Sequence, residues 1–75
     1  MTKIRNEGLL KAYGNIVKKL RTEQKMTQEK LALEAGIEPR QIGRIERGEV
    51  NCTLSTLFSI AKALKIEPKY LLDFS

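Results

Sequence analysis

At 75 residues, with 41% hydrophobic and 31% charged content, the chain has room for one domain, residues 1–75, and no second core. A domain of this size buries only about 60% of its unfolded surface, so its stability should be modest. A net charge of +5, with eleven of the fourteen Lys and Arg residues before residue 50, favours a polyanionic partner, while zero histidines and one cysteine argue against imidazole catalysis, a disulfide framework and a Cys/His zinc site.

Residues 1–6 are expected to form a flexible amino end, with Asn6 as the N-cap of a first helix over about Glu7 to Glu23. Leu9, Leu10, Tyr13, Ile16, Val17 and Leu20 keep helical spacing there despite Gly8 and Gly14. Gln24-Lys25-Met26 is a link, and Thr27 a side-chain cap for a second helix. Leu31, Ala32 and Ala35 form that helix's apolar stripe, with Ala32 small where two backbones would approach closely. The stripe stops at Gly36, where a left-handed φ costs glycine nothing and the chain must turn. Pro39 suits the first turn of the next helix, and Ile42 and Ile45 resume the pattern. Residues 28 to 47 therefore describe two short helices meeting at a tight turn, a helix-turn-helix.

The outer face of the second of these helices points to function. Arg40, Gly43, Arg44 and Arg47 gather within about a third of its circumference, opposite Ile42, Ile45 and Glu46. Arginine forks onto O6 and N7 of guanine or clamps a phosphate, so such a face suits the DNA major groove. A solvated basic face is the ordinary alternative, since arginine is a good helix former. The turn signature and the unbroken basic face together favour DNA. Gly43 costs a helix interior about 1 kcal/mol relative to alanine, so either a base edge or phosphate approaches it or the loss is tolerated.

Asn51-Cys52-Thr53 links to a fourth helix capped by Thr53, with Leu54, Leu57, Ala61 and Leu64 as its inner stripe. Cys52 is expected to be a small, partly buried loop side chain, with a redox switch the lesser reading. Pro68 opens a final short turn in which Tyr70, Leu71 and Leu72 close the core. With no period-2 alternation, the expected fold is all-α, compact and five-helical, without a sheet.

Several stretches together resemble the Cro and phage-repressor (XRE) class of bacterial helix-turn-helix domains, over about residues 13 to 73. They are Tyr13-Gly14 with Val17, Leu20 and Arg21; Met26-Thr27-Gln28-Glu29; Ile45-Glu46-Arg47-Gly48; and Leu54, Leu57, Ile60-Ala61 and Leu64. The resemblance implies base reading by Pro39, Arg40, Gly43 and Arg44, and a phosphate contact by Gln28 at a helix N-terminus, where free N–H groups and the helix dipole favour an anion. A plain surface role for Gln28 is the alternative. The resemblance also implies pairing of Arg21 with Glu46, DNA contact by Arg21 being the lesser reading. The chain departs from the family at Lys30, where Glu often completes a capping box, at Cys52, where proline is common, and at Glu49, where a basic residue is frequent. Glu38 occupies an N-cap site that prefers Ser, Thr, Asp or Asn.

The expected function is therefore sequence-specific binding of double-stranded DNA by a small cytoplasmic transcriptional regulator of repressor type. It would act on the nucleoid as a homodimer on a palindromic operator, with no enzyme activity, cofactor, metal, small-molecule ligand or membrane contact. Phe58, Leu72 and Phe74 are the dimer-interface candidates, Phe58 and Phe74 lying off the expected inner stripes. The reading from a different class is a protein-interaction module, an antitoxin or antirepressor, which a large apolar surface would favour.

Overall fold

In a computed structural model, which describes residues 7–72, these stripes fold into four α-helices and one 3-10 helix. They are α1 (Glu7–Glu23), α2 (Gln28–Ala35), α3 (Pro39–Glu46), α4 (Leu54–Leu64) and the 3-10 helix Pro68–Leu72. No strand occurs among the described residues. The expected Asn6 cap and the Phe74 interface residue lie outside them. The count of five helices needs correction, because the last element is a 3-10 turn. It has five residues, too few to recover the cost of nucleating an α-helix, and Tyr70 N–H instead donates to Glu67 C=O at 3.0 Å, three residues back.

The capping residues act as their chemistry predicts. The Thr27 hydroxyl accepts from Lys30 N–H at 3.0 Å and the Thr53 hydroxyl from Thr56 N–H at 3.1 Å. Glu38 caps α3 without any side-chain hydrogen bond. The carboxyl ends share a device. After each α-helix one residue takes a left-handed φ, and the next N–H reaches back five positions: Met26 to Arg21, Ile37 to Ala32, Glu49 to Arg44 and Ile66 to Ala61, at 2.9 to 3.0 Å. Glycine supplies the left-handed position after α2 and α3. Lysine supplies it after α1 and α4, with φ of 60° at Lys25 and 61° at Lys65, a strained choice that sequence pattern did not signal.

Val17, Leu31, Ile42, Ile45, Ile60, Leu64 and Leu71 are fully buried, and Tyr13, Ala32, Leu57, Ala61 and Ala63 complete the core. α1 packs on α3, α2 packs on α3 and α4, and the 3-10 helix closes the base against α4 and α1. Two core assignments change. Leu54 is exposed in the first turn of α4, and Ile60 takes the central position instead. Of the three apolar residues expected to close the core, only Leu71 is inside, while Tyr70 and Leu72 face solvent.

The backbones of α1 and α3 approach closely at Gly14. A Cβ on Gly14 would collide with Ile45 C=O and stand 2.6 Å from the Glu46 carbonyl oxygen. Gly14 thus lets α1 lie directly on the last turn of α3 and sets the height of the outer face of α3 above the core.

Candidate nucleic-acid interface

Beneath that face lies a polar network that fixes α3 from behind. Arg21 donates through Nε to Glu46 Oε2 at 2.6 Å, through Nη2 to Oε1 at 3.1 Å, and through Nη1 to Met26 C=O at 2.7 Å. Gln28 Nε2 donates to the same Glu46 Oε1 at 3.0 Å. The Arg21 and Glu46 side chains are only 11% and 3% exposed, so this pair joins α1, α2 and α3 in low dielectric with its hydrogen-bonding capacity used. No described buried side-chain nitrogen or oxygen lacks a partner. Arg21 is therefore scaffold. Gln28 faces inward with its amide committed to Glu46, a role its position at a helix start did not signal.

Glu46 and Ile42 turn inward, and the outer side of α3 carries Pro39, Arg40 and Arg44, all exposed. Arg40 and Arg44 line one shallow hollow with Gly36, Ile37, Glu38 and Gln41. Among the described residues, no side-chain hydrogen bond or ion pair engages either guanidinium. Two five-donor forks thus project side by side from a helix of major-groove width.

Gly43 does not stand open on this face as its helical angle suggested. It is buried, because Arg47 folds over it: Nη1 of Arg47 would be 3.2 Å from a Cβ there, with the Gln28 amide oxygen at 3.5 Å. Arg47 is also bound to Glu49, a pairing that went unread in the sequence. Glu49 holds the Arg47 guanidinium even more firmly protonated than usual, and the hydrogen bond from Arg47, with Arg44 and Lys11 nearby, holds the Glu49 carboxyl below the usual carboxylate range.

Behind the loop that follows α3, the Tyr13 hydroxyl and the Cys52 thiol lie 3.3 Å apart. Burial pushes both above their ordinary pKa, the Cys52 contact adding to the effect on Tyr13. Both are therefore neutral, and a half-buried neutral thiol packed against the core is a structural cysteine with little nucleophilic character. No helix among the described residues is long and apolar enough to cross a membrane.

Residues 17–71 match the helix-turn-helix family. The chain is 42% identical over 64 residues to the control protein C.BamHI of Bacillus amyloliquefaciens, covering 84% of this chain and 79% of that protein. It is 45% identical over 56 residues to the control protein C.SmaI of Serratia marcescens, covering 73% and 67%. Among solved structures, it is similar to the restriction-modification controller protein C.AhdI from Aeromonas hydrophila. The TM-score is 0.82 at 37% identity, over 83% of this chain and 94% of that one.

Proposed function

Since the chain belongs to the helix-turn-helix family, in its XRE class, we propose that it is a DNA-binding transcriptional regulator whose helix α3 reads double-stranded DNA in the major groove. The observation that carries this reading is the pair of unengaged guanidiniums, Arg40 and Arg44, on a helix locked from behind by Arg21, Glu46 and Gln28. The rigid mount limits the backbone freedom lost on binding, and the forks supply base contacts. Pro39 would contact bases at the mouth of the groove, and Gly43 would act through the Arg47 laid over it. Phosphate contacts fall to Arg47 and to the first turn of α2 around Gln28, where backbone N–H groups face an anion. The controller relatives favour a regulator of a restriction-modification operon, acting in the cytoplasm. A protein-interaction module is not favoured.

A homodimer completes the proposal. Leu54 and Phe58, one turn apart on the outer side of α4, are 69% and 54% exposed. Leu72 lines an apolar hollow with Leu9, Leu10 and Leu57. Two reading heads about one DNA turn apart, ~34 Å, demand a palindromic site.

Selection of bound sites from random DNA, followed by titration over a range of salt, tests the reading. We expect a two-fold site and a steep salt slope. Arg40→Ala and Arg44→Ala should each cost ~1 to 3 kcal/mol on that site and relax base choice at one position per half-site, whereas Arg47→Ala should weaken all sequences alike. If the two former variants leave both the selected site and its affinity unchanged, α3 is not the recognition helix.

A further inference from the structure

Glu49 is an acidic residue immediately beyond a basic helix, and the structure gives it a defined partner. Arg47 Nε donates to Glu49 Oε2 at 2.8 Å and Arg47 Nη2 to Oε1 at 3.3 Å, a two-pronged pairing of guanidinium and carboxylate. The backbone prepares it. Gly48 at φ 73° reverses the chain, and Glu49 N–H returns to Arg44 C=O at 2.9 Å, so that side chains two residues apart face one another. The remaining nitrogen of Arg47, Nη1, lies over Gly43 beside the Gln28 amide. Both edges of this guanidinium are thus laid along the surface of α3, in contrast to Arg40 and Arg44.

We propose that Glu49 is a positioning residue that stands in for a DNA phosphate on Arg47, so that contact between Arg47 and the DNA backbone requires exchange of carboxylate for phosphate. The inference rests on the reading of α3 as the recognition helix. Carboxylate and phosphate present oxygens to a guanidinium edge in the same forked geometry, so one occupies the place of the other. The Arg47 and Glu49 side chains are 58% and 49% exposed, so the pair is wet and opens readily. The exchange leaves a displaced carboxylate beside the DNA backbone, offsetting part of the charge that Arg47 neutralises. It takes place away from the base edges, so it lowers affinity for every sequence alike and leaves base choice to Arg40 and Arg44.

Binding of the full chain to its selected duplex and to a scrambled duplex, by fluorescence anisotropy over a range of salt, tests this. Glu49→Gln should bind both duplexes about two- to fivefold more tightly at low salt, and the slope of log K against log salt should steepen by up to about one. Glu49→Ser, which removes the forked acceptor altogether, should behave the same. In an Arg47→Gln background the gain should shrink to the small part that relief of charge repulsion alone supplies. Equal gain in that background would mean general charge repulsion, and no gain, or gain on the selected duplex alone, would equally overturn the exchange. If the wild-type chain binds neither duplex, the recognition-helix reading fails and takes this inference with it. Tight, Arg44-dependent binding that Glu49→Gln and Glu49→Ser leave unaltered sinks the exchange alone.

Discussion

Two glycines show how differently one residue type is used within 30 positions of the chain. At Gly14 the neighbours of an added methyl would be backbone atoms of α3, the Glu46 carbonyl oxygen at 2.6 Å and its carbon at 2.9 Å, and neither can move without shifting the recognition helix. At Gly43 the nearest neighbour is the far end of the Arg47 side chain at 3.2 Å, which can swing away. Gly14→Ala should therefore lower stability by ~1 to 3 kcal/mol, despite the ~1 kcal/mol that alanine gains in a helix interior. Gly43→Ala should leave stability equal or raised by up to ~1 kcal/mol, while weakening DNA binding by displacing Arg47. Chemical denaturation of both variants, with DNA titration of the second, checks the contrast, and equal loss of stability in both would contradict it. Gly43 is noticeable in the sequence because it interrupts a helix face. The requirement at Gly14 is a collision with residues 45 and 46, which no local pattern encodes.

Between elements, the decisive contact is the Arg21–Glu46 pair joined by Gln28. Removing one partner strands a charge that is nearly out of water, which costs up to ~3 to 5 kcal/mol. Arg21→Ala and Glu46→Ala should each lower the melting temperature markedly, the double variant losing less than the sum, with base preference unchanged in the folded fraction. Additive losses in that cycle would show that the residues do not interact. Gln28→Ala should cost less, since Arg21 still satisfies Glu46, but it removes one support of α3. A second tie between elements is the Gln24 amide, whose Nε2 donates to Leu64 C=O at 2.7 Å and so caps α4 from the link between α1 and α2. Gln24 looked like an ordinary linker residue, because its acceptor lies 40 positions away.

For the whole molecule, several large apolar side chains stay exposed, Leu33 and Tyr70 among them at 77% and 55%. Leu9, Leu54, Phe58 and Leu72 are about half exposed or more, between 48% and 69%, in a domain whose small core leaves little stability in reserve. A two-fold interface through α4 would bury them and set the spacing of two α3 helices on DNA. We expect sedimentation to show a concentration-dependent dimer, Phe58→Glu to shift it to monomer, and that variant to lose affinity for a palindrome far more than for an isolated half-site. A monomer at every concentration, free and on DNA, would remove the dimer.

The helix-turn-helix was legible because its signals are local. Thr27, Gly36, Pro39 and Thr53 mark helix ends through their own backbone and capping chemistry, and the spacing of Leu31, Ile42 and Ile45 repeats within one or two turns, so α2, α3 and the start of α4 lie where the pattern placed them. Arg40 and Arg44 were readable for the same reason, since a side chain opposite a buried stripe must face out. Helical angle failed where a neighbouring side chain intervened: Gly43 is outward by angle and buried by Arg47, and Leu54 continues the stripe of α4 but lies beyond the reach of its neighbours. The final short turn at Pro68, counted as a fifth helix, is a 3-10 turn, since five residues carry too few hydrogen bonds for the α form. The inward commitment of Gln28, the need for glycine at position 14, and the Arg47–Glu49 pair all arise from atoms brought together by chain reversal or by helix packing. Periodicity reports which way a residue points, and the partner it meets there depends on where the rest of the chain has folded.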